Sequence, residues 1–133
     1  MRAIALCFIP IFFATAVAVV APALGQSRAW TLVGETELHL MFSDFATLTV
    51  NGATRQAWML VSSNAPSMPG APSFTSLREF DCQGGRYRNL QVIRYDSIMG
   101  RGNVTSMDKM PTSWLPAIPG GAAEHALRNV CKR

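Results

Sequence analysis

Catalytic chemistry is what this 133-residue chain has least of: it holds two histidines, His39 and His125, and only 15% of its residues are charged. No Gly-x-Ser-x-Gly elbow, phosphate-cradling loop or His and Cys cluster at metal-ligand spacing occurs. Asp44, Asp81, Asp96 and Asp108 are too scattered to indicate a paired-carboxylate site, and a lone histidine is far more often a packing or surface residue than a base. The chain therefore reads as a non-enzyme that needs no cofactor or metal. Met99, Met107 and Met110 raise copper(I) as a ligand, but methionines of a β domain are expected in its core. Nucleic acid is excluded as a partner, because no recognition motif accompanies the modest net charge of +4.

Cysteine is scarce too, and its placement is informative. Residues 1–25 have the pattern of a cleaved signal peptide. Met1 and Arg2 give a basic start, Ala3 to Val20 are mainly apolar, and Ala23-Leu24-Gly25 precede Gln26 as a small-residue cleavage pattern. An uncut anchor is the competing reading of that run, and Pro10 interrupts it. Cleavage would remove Cys7 and leave Cys82 and Cys131 in an oxidising compartment, the periplasm or the cell exterior, where a disulfide between them is expected. No Cys-x-x-Cys motif suggests redox work, so the bond reads as a staple of the fold. The remaining residues 26–133 suit one small domain, with eleven Lys and Arg against eight Asp and Glu for a net charge of +3.

From Ala29 the hydrophobic period is two, which predicts a mainly β fold. Strands are expected over residues 30–33, 37–42, 47–50, 54–61, 74–82, 86–95 and 103–108. Gly34 punctuates the first pair, and Asn51-Gly52 is the sharpest hairpin signal. Residues 62–73, which contain Pro66, Pro69 and Pro72, read as a loop, and Gln83-Gly84-Gly85 as a turn. Pro111, Pro116 and Pro119 argue against regular structure before the C-terminus. There the period changes: Ala123, Ala126, Leu127, Val130 and Cys131 share one face of a short helix, with Gly121 as N-cap and Glu124 as half of a capping box. Cys131 then points toward the sheet, where Cys82 ends a strand.

Arg86, Arg88 and Arg94 alternate along one strand and are expected on one sheet face, with Arg101 nearby. That face is either a solvated surface whose arginine stems cover apolar area or a site for an acidic polymer or acidic protein patch.

Trp30 with Val33-Gly34, Phe42-Ser43-Asp44, Asn51-Gly52, Trp58, Ser76, Glu79-Phe80-Asp81-Cys82, Arg86-Tyr87-Arg88, Tyr95 with Gly100, Trp114 with Pro119-Gly120, and Val130-Cys131 occur in an order that resembles the surface-adhesin protein E-like family of Gram-negative bacteria. The resemblance implies an α+β, mainly β fold: a curved antiparallel sheet of about six strands carrying one C-terminal helix, tied by the disulfide. It also implies an exported envelope binding module, since the family's adhesin binds host matrix proteins. Phe42 and Phe45 replace the family's frequent Tyr and Pro around the early Asp, and Gly121 replaces a helix-capping Ser. The lipid-bearing cysteine of the adhesin is missing, so membrane contact is expected only through the leader or by surface association. A periplasmic inhibitor or a structural accessory of the envelope is the alternative, and the basic charge opposes an inhibitor aimed at a basic enzyme.

Overall fold

The computed structural model describes residues 28–65 and 72–133. The expected signal peptide with Cys7, and Pro66 and Pro69 of the expected loop, lie outside the described residues. Seven antiparallel strands form one sheet in the order β1-β2-β3-β4-β5-β6, with β7 also pairing with β5. Their ranges are β1 Thr31–Glu35, β2 His39–Asn51, β3 Thr54–Ser63, β4 Ser73–Asp81, β5 Arg86–Tyr95, β6 Val104–Asp108 and β7 Leu115–Pro116. Every path neighbour is also the next strand in sequence, so the sheet is a meander whose register is set by its turns. Gly52 adopts φ 58°, the left-handed conformation that the tight β2–β3 turn requires.

Among the described residues one α-helix, α1 (Ala122–Cys131), covers one sheet face. Ten residues are too few to hold a helix in water, so α1 depends on docking. Ala126 and Val130 are fully buried among Val33, Met41, Met59, Val61 and Phe80, and Leu127 packs beside them. Gly121 is the N-cap as expected. Glu124, however, accepts from the Gly120 amide at 2.9 Å, one residue earlier than a capping box would have it. That amide and Arg128, its ion-pair partner one turn on, hold its carboxyl below the ordinary range.

The covalent tie is where the sequence places it. Cys82 and Cys131 are disulfide-bonded with Cα atoms 5.7 Å apart, joining the helix end to the β4–β5 turn. Closing a loop across 49 residues corresponds to about 4 kcal/mol of unfolded-state entropy.

Four irregularities depart from strict alternation, the last of them a register shift of β5 against β6 between Arg94 and Tyr95. Gly34 lies inside β1, not between strands, and the register shifts between Leu32 and Gly34 so that Val33 enters the core. A Cβ on Gly34 would stand 3.1 Å from the Ala122 carbonyl oxygen, which explains why glycine lets α1 approach. Residues 45–48 of β2 bulge against Ala57 alone, merging the two strands expected at 37–42 and 47–50 into one. Asp44 and Thr47 satisfy the bulge: Asp44 Oδ1 accepts from the Ala46 amide, and Thr47 Oγ1 accepts from the Trp58 amide. The third shift, opposite Leu77 and Arg78, makes Leu90 the extra residue of β5.

The other face is closed at one end by a 3₁₀ turn, Ile98–Gly100, between β5 and β6. Ser62 and Ser73, both buried, pin it: Ser62 Oγ accepts from the Met99 amide and Ser73 Oγ from the Gly100 amide, each at 2.9 Å. Leu60 is fully buried, and a Cβ on Gly100 would meet its Cδ1. The prolines near the C-terminus did not exclude all regular structure. Pro116 pairs with Arg86 in β7, at the sheet edge where a missing N–H is tolerated.

Candidate functional site

Residues directly opposite one another in an antiparallel ladder share a face, so the register assigns every strand side chain. Phe80 pairs with Tyr87 on the helix side, which leaves Glu79 with Arg88 and Asp81 with Arg86 on the outer side. Beyond the Leu90 bulge the phase inverts. Arg94 pairs with Phe74, a residue of the helix-side core, so it does not share a face with Arg86 and Arg88. The expected three-arginine row is thus corrected to two, because an extra residue in β5 shifts the alternation. Arg94 instead reaches Ser106 Oγ at 3.5 Å, and Arg101 is exposed beside the 3₁₀ turn.

On the outer face Gln56, Glu79 and Arg88 form a rung across β3, β4 and β5. Glu79 accepts from Gln56 Nε2 at 3.0 Å and from Arg88 Nε at 2.6 Å. Arg86 Nε donates to Asp81 at 2.8 Å. Asp81 also accepts from the amides of Gly84 and Gln83, and with Arg86 these hold its carboxyl below the ordinary range, the Gly84 amide foremost. The arginine ends of both pairs are partly exposed, so solvent screens them and the pairs add little stability. Their effect is positional.

Both guanidinium groups lie over one indole. Arg86 Cζ is 4.9 Å and Arg88 Cζ 4.7 Å from the Trp114 ring centroid. Trp114 arrives because residues 112–117 run along the β5 edge: Thr112 and Asn89 exchange two hydrogen bonds, and the Ala117 amide donates to Gly85. A second stack lies further along the same face, where Arg28 sits 4.0 Å over Trp58, whose ladder partner is Leu77. Arg86 and Arg88 each use only Nε in their ion pairs, and among the described residues their Nη edges make no further hydrogen bond. They form a flat donor array against an aromatic plate. The sequence pointed to the arginines but not to these stacks, because nothing in local spacing brings residue 114 beside 86 or residue 28 beside 58.

Met107 and Met110 are exposed, contrary to the expectation that they fill the core, whereas Met41 and Met59 do fill it. Among the described residues no group of three His, Cys, Asp or Glu side chains is placed to hold a metal ion. No helix among them is long and apolar enough to cross a membrane.

Solved structures of Haemophilus influenzae protein E share this fold. Its crystal form II aligns with TM-score 0.58 and 16% identity, covering 88% of this chain and 97% of that one. The protein from a non-typeable strain aligns with TM-score 0.55 and 15% identity over 85% and 82%. A search of curated proteins finds no match. The sequence profile of the family described as surface-adhesin protein E matches residues 30–132, and the chain belongs to that family.

Proposed function

We propose that the protein is an exported, non-catalytic binding module of the Gram-negative cell envelope, and that its outer face meets an acidic protein surface through Trp114, Arg86 and Arg88. Family membership supports the envelope role, and the signal-peptide pattern of residues 1–25 supports export. The observation that carries the binding reading is the Trp114 indole lying under two guanidinium groups whose Nη edges are unused. Tryptophan and arginine are the residues most enriched at interface hot spots, and a planar donor fork suits carboxylates. Asp81 and Glu79 neutralise part of the charge, which favours a shaped protein epitope over a uniform polyanion.

The test uses the mature protein against a panel of immobilised extracellular-matrix proteins and against heparin. Trp114→Ala and the pair Arg86→Ser with Arg88→Ser should each weaken binding to a matrix protein at least tenfold, with a smaller change in heparin elution. Loss on heparin alone would make the partner an acidic polymer. Unchanged binding by both variants would remove this face from the function.

A further inference from the structure

On the opposite face, beside the first turn of α1, a pocket of about 340 Å³ opens between the helix and the sheet. Its walls are largely apolar, Met41, Val61, Phe74 and the Tyr87 ring from four strands and Ala122 and Ala123 from the helix, with Thr36 and His39 as polar members. One charged group belongs to it, Arg78 of β4, which is 3% exposed. The Arg78 side chain is positioned on three sides. Nε donates to Asn89 Oδ1 at 3.0 Å, Nη1 lies 3.7 Å from the Met41 sulfur, and Cζ stands 4.6 Å over the Tyr87 ring.

What Arg78 lacks is an anion. The ion pairs among the described residues are Arg86–Asp81, Arg88–Glu79 and Arg128–Glu124, and none includes it. The one carboxylate on the helix's first turn, Glu124, is engaged by Gly120 and Arg128. Burial lowers the Arg78 pKa to about 10, against a smaller opposing effect of Tyr87, so the group is still a cation at neutral pH. A buried cation with no counter-charge is costly, and its soft neighbours, a thioether and an aromatic face, compensate only in part. The surrounding geometry is that of a small-molecule site: an apolar concavity of about 300–1,000 Å³ with a few polar groups, here Arg78, His39 and Thr36. Ala122 and Ala123 add the positive end of the helix dipole, since first-turn amides have no intrahelical acceptor.

We propose that this pocket binds a small amphipathic carboxylate, its head paired with Arg78 and its apolar tail against Phe74, Val61 and Tyr87. The site is separate from the Trp114 face and does not depend on that reading. The carboxylate supplies the missing counter-charge, and the bidentate edge of the guanidinium selects it over an alcohol of equal length.

Calorimetric titration of the mature, oxidised protein with octanoate, octanol and acetate tests this directly. Octanoate should bind at least tenfold more tightly than either, because only it satisfies both head and walls. Arg78→Met, close in length and uncharged, should remove the preference for octanoate over octanol. Ala123→Phe should occlude the pocket and abolish octanoate binding while the thermal transition persists, and this variant decides the matter if Arg78→Met fails to fold. Equal affinity of the parent protein for octanoate and octanol, a preference for octanoate retained in folded Arg78→Met, or octanoate binding retained in folded Ala123→Phe would overturn the proposal. Tighter binding of a tripeptide ending in a free leucine carboxylate, lost on amidation, would overturn the small-acid assignment in favour of a peptide terminus.

Discussion

The two faces of the sheet are closed by different chemistry. On the helix side Met59, Val61, Phe80 and Val33 bury against Ala126 and Val130, and a disulfide fixes the helix end. On the outer side the 3₁₀ turn is held by serine hydroxyls, and the rest of the face carries charge-assisted hydrogen bonds and cation–π stacks. Apolar burial and a crosslink are non-directional or covalent and make a permanent cover. Beyond the buried serines, the directional polar contacts on the exposed part of the outer face add little stability and leave donors for a partner. The contrast separates what the fold uses to persist from what it can present.

The largest effect should come from the helix side. Replacing Cys82 and Cys131 with Ser, or reducing the bond, should cost about 4 kcal/mol, read as a lower urea midpoint, with the loss concentrated in α1. Both thiols of the purified oxidised protein should resist alkylation until reductant is added. Next come the single contacts that set each cover. Gly34→Val should destabilise by about 1–3 kcal/mol through overpacking against Ala122, although valine is the better strand former. Ser73→Ala should cost about 1–3 kcal/mol by leaving the Gly100 amide without its acceptor. If Ser73→Ala were harmless while Gly34→Val stayed costly, the outer cover would be dispensable and the contrast sharper.

The smallest effect is on acid stability. Asp96 accepts from the Asn103 amide and side chain and from Ser97, and its carboxyl is lowered chiefly by Asn103. Asp81, in the β4–β5 turn, is lowered as well. A carboxyl depressed in the folded state contributes stability that is fully present above its unfolded value, about 3.9, and is lost as pH falls through the lower folded value. Stability should therefore be flat from neutral pH to about 5 and decline below about 4. Asp96→Asn should shallow that decline in a pH series of urea unfolding curves.

Much of this architecture can be read in the sequence because it follows from local pattern. The Asn51-Gly52 hairpin, the alternating run Arg86 to Tyr95, the helical spacing before Cys131 and the Cys82–Cys131 pairing each need only nearby residues or counting. What escapes is anything that changes phase. The extra residue Leu90 moves Arg94 to the other face, and the bulge at residues 45–48 fuses two expected strands, yet neither carries a glycine or proline to mark it. The stack of Trp114 on Arg86 and Arg88 depends on a strand edge that only the tertiary fold creates. Arg78 did leave a signal. It falls in phase with Phe74, Ser76 and Phe80, whose partners Val61, Met59 and Tyr87 lie on the helix side, and a charged residue in an inward-facing register is where a binding group is to be sought.

Photo-crosslinking on intact cells tests the division of labour between the faces most directly. Benzoylphenylalanine would be placed at Ser113, exposed beside Trp114, and, in a second strain, at Lys132, which is exposed at the helix end. The prediction is a discrete adduct with a partner protein from position 113 and none from position 132. Adducts from position 132 alone, or none from position 113 across the cell surface and periplasm, would contradict the assignment of the outer face as the one that binds.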